Sequence, residues 1–168
     1  MELFILRHGK AGIRTSEASD SKRKLSEVGK KEVEEISKVL QRSGIQFDYI
    51  VTSPLKRALQ TAEIILKNQK TKKNNFLTWN ELKPESKITD TAKKISKLKI
   101  DSSVLIVGHD PHLSILIGNI ITSSSSNVCS INLKKAGLAK IRLYSFSPTL
   151  KGELRWLVTP KQIKNFSG

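Results

Sequence analysis

Three short motifs in the sequence place histidine or arginine directly after an apolar run. "RHG" brings Arg7 and His8 after one such run, and "GHD" brings His109 after another. "TSPLKR" follows a third run and contributes Ser53 and, four residues later, Arg57. Arginine forms bidentate hydrogen bonds with phosphate oxygens. Two arginines and two histidines with few acidic neighbours therefore favour a phosphoryl group as the ligand.

The two histidines suit two different tasks in phosphoryl transfer. One imidazole could attack phosphorus and carry the phosphoryl group covalently. A protonated imidazole could instead stabilise charge on the equatorial oxygens. A metal site is the rival interpretation, but only Asp110 and His112 stand near His109, and no histidine pair with helical metal-ligand spacing accompanies them. Phosphoryl transfer without a metal or another cofactor fits these residues better. His112 is interpreted as a surface residue.

The elements that position these residues alternate between strands and helices. Apolar runs predict strands at residues 2–6, 47–52, 76–79 and 104–107, followed by two alternating strands at 138–146 and 153–158. Helical spacing predicts helices at 27–42, 54–66, 89–98 and 112–121, the first capped by Ser26 and the second by Ser53. The serine run at 123–126 is predicted to be a linker.

This alternation predicts a three-layer α/β/α domain with a mostly parallel central sheet. Residues 1–160 are expected to form a single catalytic domain, and residues 161–168 a frayed tail. Ligands of open α/β sheets bind beyond the carboxyl ends of the strands. The three motifs should therefore meet at one site.

Composition narrows the class of partner. The net charge is +15, with many paired lysines, yet only 5% of the 168 residues are aromatic. A solvated basic surface is ranked first, an acidic substrate second and nucleic acid third, because base-stacking residues are scarce. No apolar run is long enough to cross a bilayer, and no signal peptide is evident. The single cysteine, Cys129, is interpreted as a buried small hydrophobe, and the chain is expected to be cytoplasmic.

Four blocks of the sequence, in matching order, resemble the histidine phosphatase superfamily, which has the phosphoglycerate-mutase-like fold. The blocks are "LRHGKA", "SDSKRKLSEVGKKEV", "VTSPLKRALQTAEII" and "VLIVGHDP". The second is similar to the "DxxRPLTxxG" stretch of the small SixA-type phosphohistidine phosphatases, with Lys24 in place of the usual proline. The resemblance covers residues 1 to about 120.

The resemblance implies a role for each matching residue. His8 would be the phosphorylated nucleophile, and Arg7, Arg57 and His109 would hold the phosphoryl group. Arg23 would help at the edge of the site. Glu81 falls where larger members of the superfamily carry a proton-donating glutamate.

The short segment between residues 67 and 103 leaves no room for the cap domain of larger members. An open groove admits a phosphorylated side chain of another protein, so the expected function is a phosphatase of phosphohistidine in proteins. The alternatives are a small-molecule phosphomonoesterase of the same superfamily and, from another class, a non-catalytic module that binds phosphate or nucleic acid. No cofactor, metal or membrane is expected.

Overall fold

The computed structural model of the protein describes residues 1–13, 20–122 and 129–165. The strands there are β1 (Glu2–Arg7), β2 (Tyr49–Thr52), β3 (Phe76–Thr78), β4 (Ser103–Gly108), β5 (Leu138–Ser145) and β6 (Lys151–Val158). The α-helices are α1 (Glu27–Arg42), α2 (Lys56–Leu66), α3 (Ile88–Ile95), α4 (His112–Ile121) and α5 (Pro160–Asn165). Turns of 3-10 helix cover Asp20–Lys22, Lys73–Asn75 and Asn80–Leu82. The predicted linker at 123–126 lies outside the described residues.

The six strands form one sheet in the order β3-β2-β4-β1-β5-β6. β1 to β4 run parallel to one another, and β5 and β6 add an antiparallel hairpin beside β1. The mostly parallel sheet predicted from the sequence is therefore confirmed. Because β1, β2 and β4 are neighbours and parallel, the loops that follow them leave the sheet at the same edge.

Side chains of the central strands alternate between two apolar layers. In β1, Leu3 and Ile5 pack on the side covered by α3 and α4, whereas Phe4 and Leu6 pack on the side covered by α1, α2 and α5. Both faces of the sheet are thus covered, which explains why the parallel strands are continuous apolar runs in the sequence. Between α2 and β4 the described chain forms only β3, α3 and two short turns, so no cap domain is inserted there.

Two local expectations differ from the structure. The sequence predicts a tail that frays from residue 161, but Pro160–Asn165 form helix α5, because Ile163 is buried in the layer that contains α1; residues 166–168 lie outside the described part. Cys129 is partly exposed rather than buried. Its backbone carbonyl lies against Gly118, where a Cβ would come within 2.7 Å of it. None of the helices in the described residues is long and apolar enough to cross a membrane.

Candidate active site

His8 directly follows β1 and lies at the centre of the site. Its backbone N–H donates to Gly108 (3.0 Å), and its side chain is buried, with only 6% of the residue exposed. The ring Nδ1 lies 2.7 Å from the carbonyl oxygen of Gly9, so Nδ1 carries the proton and Nε2 is unprotonated. Burial lowers the pKa of His8 to about 4, and the nearby guanidinium groups of Arg57 and Arg7 act in the same direction. At neutral pH His8 is therefore uncharged.

Arg57 approaches the lone pair of His8 Nε2 from the first turn of α2. Its Nε–H donates to His8 Nε2 (3.2 Å), and the residue is only 5% exposed. Its two terminal nitrogens contact Asp20, one at the backbone carbonyl (2.8 Å) and one at the carboxylate (2.9 Å). The same carboxylate accepts from Arg23 (3.0 Å). Asp20 thus orients the guanidinium beside His8.

His109 enters the site from the residue after β4. Its ring centroid lies 5.0 Å from that of His8, and its Nε2 lies 2.9 Å from the hydroxyl of Ser53. The Ser53 oxygen also accepts from the amide of Leu55 (3.4 Å). The contact with His109 Nε2 fits a donor on either side, and with the Ser53 hydroxyl as the donor Nε2 is the acceptor. This arrangement leaves an N–H on Nδ1, which is buried and has no hydrogen-bond partner among the described residues. Burial, followed by His8 and Arg57, lowers the pKa of His109 to about 2.

Arg7 is held by the loop before β5. It donates to the backbone carbonyl of Leu133 (2.8 Å), and its nearest carboxylate, that of Asp110, is 3.8 Å away. The Nε of Arg7 is buried without a hydrogen-bond partner in the part of the chain that the structure describes. Like Nδ1 of His109, this donor has no partner among the described residues and is available to an anion.

The glycine of "RHG" permits a close approach to α1. A Cβ at Gly9 would lie 2.8 Å from the carbonyl oxygen of Gly29, and one at Gly29 would lie 2.1 Å from that of Lys10. Ser26 caps α1 as predicted, accepting from the Gly29 amide (3.1 Å), and also donates its hydroxyl to Lys10 (3.0 Å). The two glycines allow the loop after His8 to pack closely against α1, and the Ser26 cap holds it there. This packing fixes the position of the Gly9 carbonyl, which accepts from Nδ1 of His8.

Glu81 stands apart from this cluster. It lies in the 3-10 turn Asn80–Leu82, and its carboxylate pairs with Lys94 (2.9 Å). The hydrogen bond from Lys94 lowers the pKa of Glu81. No hydrogen bond or ion pair joins Glu81 to His8, Arg57 or His109 within the described residues, and its part in the site stays a prediction.

Two residues near the site differ from their sequence-based predictions. Ser53 is predicted to cap α2, but α2 begins at Lys56 and the Ser53 hydroxyl contacts His109 instead. His112 is predicted at the surface, but it is 1% exposed. Its Nε2 lies 2.9 Å from the hydroxyl of Thr91, which in turn donates to the carbonyl of Glu81 (2.6 Å). Helix α4 is therefore tied to the segment that carries Glu81.

The cluster contains little that could hold a metal. Across the described ranges, no three histidine, cysteine, aspartate or glutamate side chains gather as a ligand set. The four predicted residues Arg7, His8, Arg57 and His109 are brought together at the carboxyl edge of the sheet, and Asp20 holds Arg23 beside them. What the arrangement offers is guanidinium charge, spare N–H donors on Arg7, Arg23 and His109, and one uncharged imidazole nitrogen. These groups suit a phosphoryl group that is attacked by nitrogen.

Comparison with known proteins agrees with this chemistry. Residues 3–83 match the model of the histidine phosphatase superfamily (branch 1). An uncharacterized protein of Picosynechococcus sp. is 31% identical over 144 residues, which cover 84% of this chain and 85% of that protein.

Two solved structures show the same fold at low sequence identity. The protein histidine phosphatase SixA complexed with tungstate has a TM-score of 0.84 at 23% identity, with 97% of this chain and 99% of that chain covered. The alpha-ribazole phosphatase from Shigella flexneri has a TM-score of 0.73 at 17% identity, with 95% and 97% covered. Phosphatases of a protein and of a small molecule thus share this architecture.

Proposed function

Because the chain belongs to the histidine phosphatase superfamily, we propose that it is a phosphatase that removes the phosphoryl group from phosphohistidine in proteins. The observation that carries the proposal is the state of His8. Its Nδ1 is bonded to Gly9, its Nε2 lone pair is free of a proton, and Arg57 faces that nitrogen at 3.2 Å. A cytoplasmic location belongs to the same proposal, supported by the single cysteine.

In the first step, His8 Nε2 attacks phosphorus. A new N–P bond forms while the bond from phosphorus to the leaving group breaks, and the leaving group keeps the electron pair. An alkoxide then takes up a proton, whereas an imidazole whose other ring nitrogen is already protonated leaves as the neutral ring. The donors of Arg7, Arg57 and His109 bind the phosphoryl oxygens and stabilise charge in the transition state.

In the second step, water attacks the phosphorus of phospho-His8. The N–P bond breaks, its electrons return to Nε2, and the proton lost by water leaves with inorganic phosphate or solvent. The net reaction consumes one water and releases the dephosphorylated substrate and phosphate. All the groups needed to bind the phosphoryl group are supplied by the chain itself.

The leaving group distinguishes the candidate substrates. An alkyl phosphate leaves as an alkoxide, which needs a proton from a general acid. Glu81, the predicted donor, is ionised and paired with Lys94, so it is a poor acid. A phosphohistidine leaves as an imidazole, whose other ring nitrogen can already be protonated near neutral pH. A weak acid and the absence of a cap in the described chain both favour a phosphohistidine side chain.

A small-molecule phosphomonoesterase is the second candidate, favoured by the fold shared with the alpha-ribazole phosphatase. The test compares kcat/KM for a phosphohistidine protein, an aryl phosphate and an alkyl phosphate. We expect the phosphohistidine protein to be the best substrate, and the Glu81→Gln variant to slow only the alkyl phosphate markedly. An alkyl phosphate that proved the best substrate of the unmodified protein would replace the proposal with this second candidate.

The same assay separates an enzyme from a binding module. His8→Ala should abolish phosphate release from all three substrates, because no other imidazole has its nitrogen beside Arg57 in the described structure. Phosphate binding without turnover by the unmodified protein would show that the chain only binds phosphate.

A further inference from the structure

A hollow lined by basic residues lies among the chain neighbours of Asp20 and Arg57. It has a volume of about 450 Å³, within the range of pockets that hold small ligands or side chains. The described residues that line it are Ser21, Lys22, Lys24, Pro54 and Lys56. Three lysines therefore line one concave surface.

Three of the residues that line the hollow are adjacent in sequence to residues of the active site. Ser21 and Lys22 directly follow Asp20, and Lys56 directly precedes Arg57. Asp20 and Arg57 form the ion pair that orients the guanidinium next to His8. Consecutive Cα atoms are about 3.8 Å apart, so a partner that places a phosphohistidine beside Arg57 can reach the hollow with a side chain a few residues away.

The walls of the hollow are held in place. The Leu25 amide donates to the side chain of Gln60 on α2 (2.9 Å), and Leu25 also pairs with Ala11 in an isolated bridge. The Leu25–Gln60 hydrogen bond therefore joins the segment that carries Lys24 to helix α2, which carries Lys56. The backbones that bear these two lysines are held relative to each other.

The charge of the hollow is not used by the described protein. None of the three lysines has an ion pair with a carboxylate in residues 1–13, 20–122 or 129–165, whereas Arg23 and Arg57 are both engaged by Asp20. Like charges held on one concave surface repel each other, and an anion bound there would relieve that repulsion. Carboxylate is the anion that a protein surface offers most often.

We propose that this hollow, defined by Lys22, Lys24 and Lys56, is a second anion subsite that binds an acidic side chain next to the phosphohistidine of the partner protein. The inference rests on the proposed function and specifies its substrate: a phosphohistidine flanked by aspartate or glutamate. The reaction at phosphorus is unchanged, because the subsite contributes to binding and not to bond breaking.

The test reverses charge in the hollow and, as a matched control, elsewhere. The hollow variant is K22E/K24E/K56E, and the control is K70E/K72E/K73E, which changes the net charge equally in the exposed loop before β3, at the opposite edge of the sheet. Substrates are a phosphohistidine peptide with flanking glutamates, the same peptide with glutamines, and an aryl phosphate. Circular dichroism and urea unfolding check that both variants fold.

We expect the hollow variant to raise KM for the glutamate peptide about tenfold and to remove the preference of the enzyme for glutamate over glutamine. The control should change this preference less than twofold. Equal effects of the two variants would indicate general attraction by net charge and would overturn the subsite. An equal loss on the aryl phosphate would place the lysines in the phosphoryl site and would also overturn it.

Failure of the proposed function gives a different pattern. In that case the unmodified protein would hydrolyse alkyl phosphates better than either peptide. Phosphoglycolate and ethyl phosphate, which differ by one carboxylate, then test the hollow directly. A preference for phosphoglycolate that disappears only in the hollow variant would assign the second anion to a small molecule and overturn the protein partner. No preference would overturn the subsite itself.

Discussion

Acidification should destabilise the protein through His8. In the folded chain burial lowers the pKa of this histidine from its ordinary 6.5 to about 4. The unfolded chain binds a proton at His8 below about pH 6.5, while the folded chain resists protonation until about pH 4. Between these values the unfolded state holds more protons, so the free energy of unfolding falls as the pH falls. His109, whose pKa is lowered to about 2, acts with the same sign.

The size of the effect follows from the shift. Each pKa unit corresponds to about 1.4 kcal/mol, so the His8 shift corresponds to about 3 kcal/mol over the whole window, of which about 2 kcal/mol falls between pH 7 and pH 4.5. A small domain has about 5–15 kcal/mol of stability in total. The loss at pH 4.5 should therefore be a measurable fraction of that total.

Urea unfolding of the unmodified protein and of His8→Gln, each at pH 7 and pH 4.5, measures this contribution. Carboxylates and His109 titrate in both proteins, so the difference between the two pH dependences reports mainly on His8. The His8→Gln variant should lose about 2 kcal/mol less on acidification. Identical pH dependences, or an NMR titration that places the pKa of His8 near its ordinary value, would refute a neutral buried nucleophile.

Three further outcomes are expected. Rapid quenching during turnover should trap a phosphoenzyme on His8 that is labile to acid and stable to alkali. Failure to trap it in both the unmodified protein and the His109→Ala variant would contradict covalent catalysis. Arg57→Ala should lower kcat/KM by an amount equivalent to about 3 kcal/mol, the typical cost of removing one hydrogen-bond donor that stabilises the transition state. Arg23→Ala should lower kcat/KM far less, because Arg23 binds Asp20 and not His8. Equal losses in the two variants would mean that one of these arginines is misplaced. Exhaustive EDTA treatment should leave the rate unchanged, and activity that disappeared and was then restored by a divalent ion would contradict a metal-free site.

Much of the framework could be predicted from local pattern. The apolar run before Arg7 predicts β1, and Ser26 with helical spacing predicts α1, because these signals depend on neighbours in sequence. The convergence of His8, Arg57 and His109 follows from one topological rule, that parallel strands end at one edge of a sheet. The resemblance to the histidine phosphatase superfamily is confirmed by the family match.

What sequence reasoning missed depends on interactions between distant segments. A serine followed by a proline has the local signature of a helix cap, but the Ser53 hydroxyl meets His109, which is 56 residues away. His112 is the first residue of α4, a position that is often exposed, and only the packing of α4 against α3 buries it beside Thr91. Asp20 lies in the block similar to "DxxRPLTxxG", but no role is predicted for it from the sequence, because its pairing with Arg57 spans 37 residues.

The charge state of the site revises one sequence-based expectation. A protonated histidine is one of the two roles that the sequence suggests, but burial keeps His109 neutral in the free protein. The fixed positive charge next to His8 is therefore carried by Arg57 and Arg7, because guanidinium groups stay protonated at any physiological pH. Neutral His109 still offers an N–H at Nδ1 when its Nε2 accepts a hydrogen bond from the Ser53 hydroxyl. A phosphoryl group in the site thus contacts two positively charged arginines, a neutral N–H donor on His109 and the lone pair of His8. Because Nε2 of His8 is already unprotonated, the nucleophile loses no proton before it attacks.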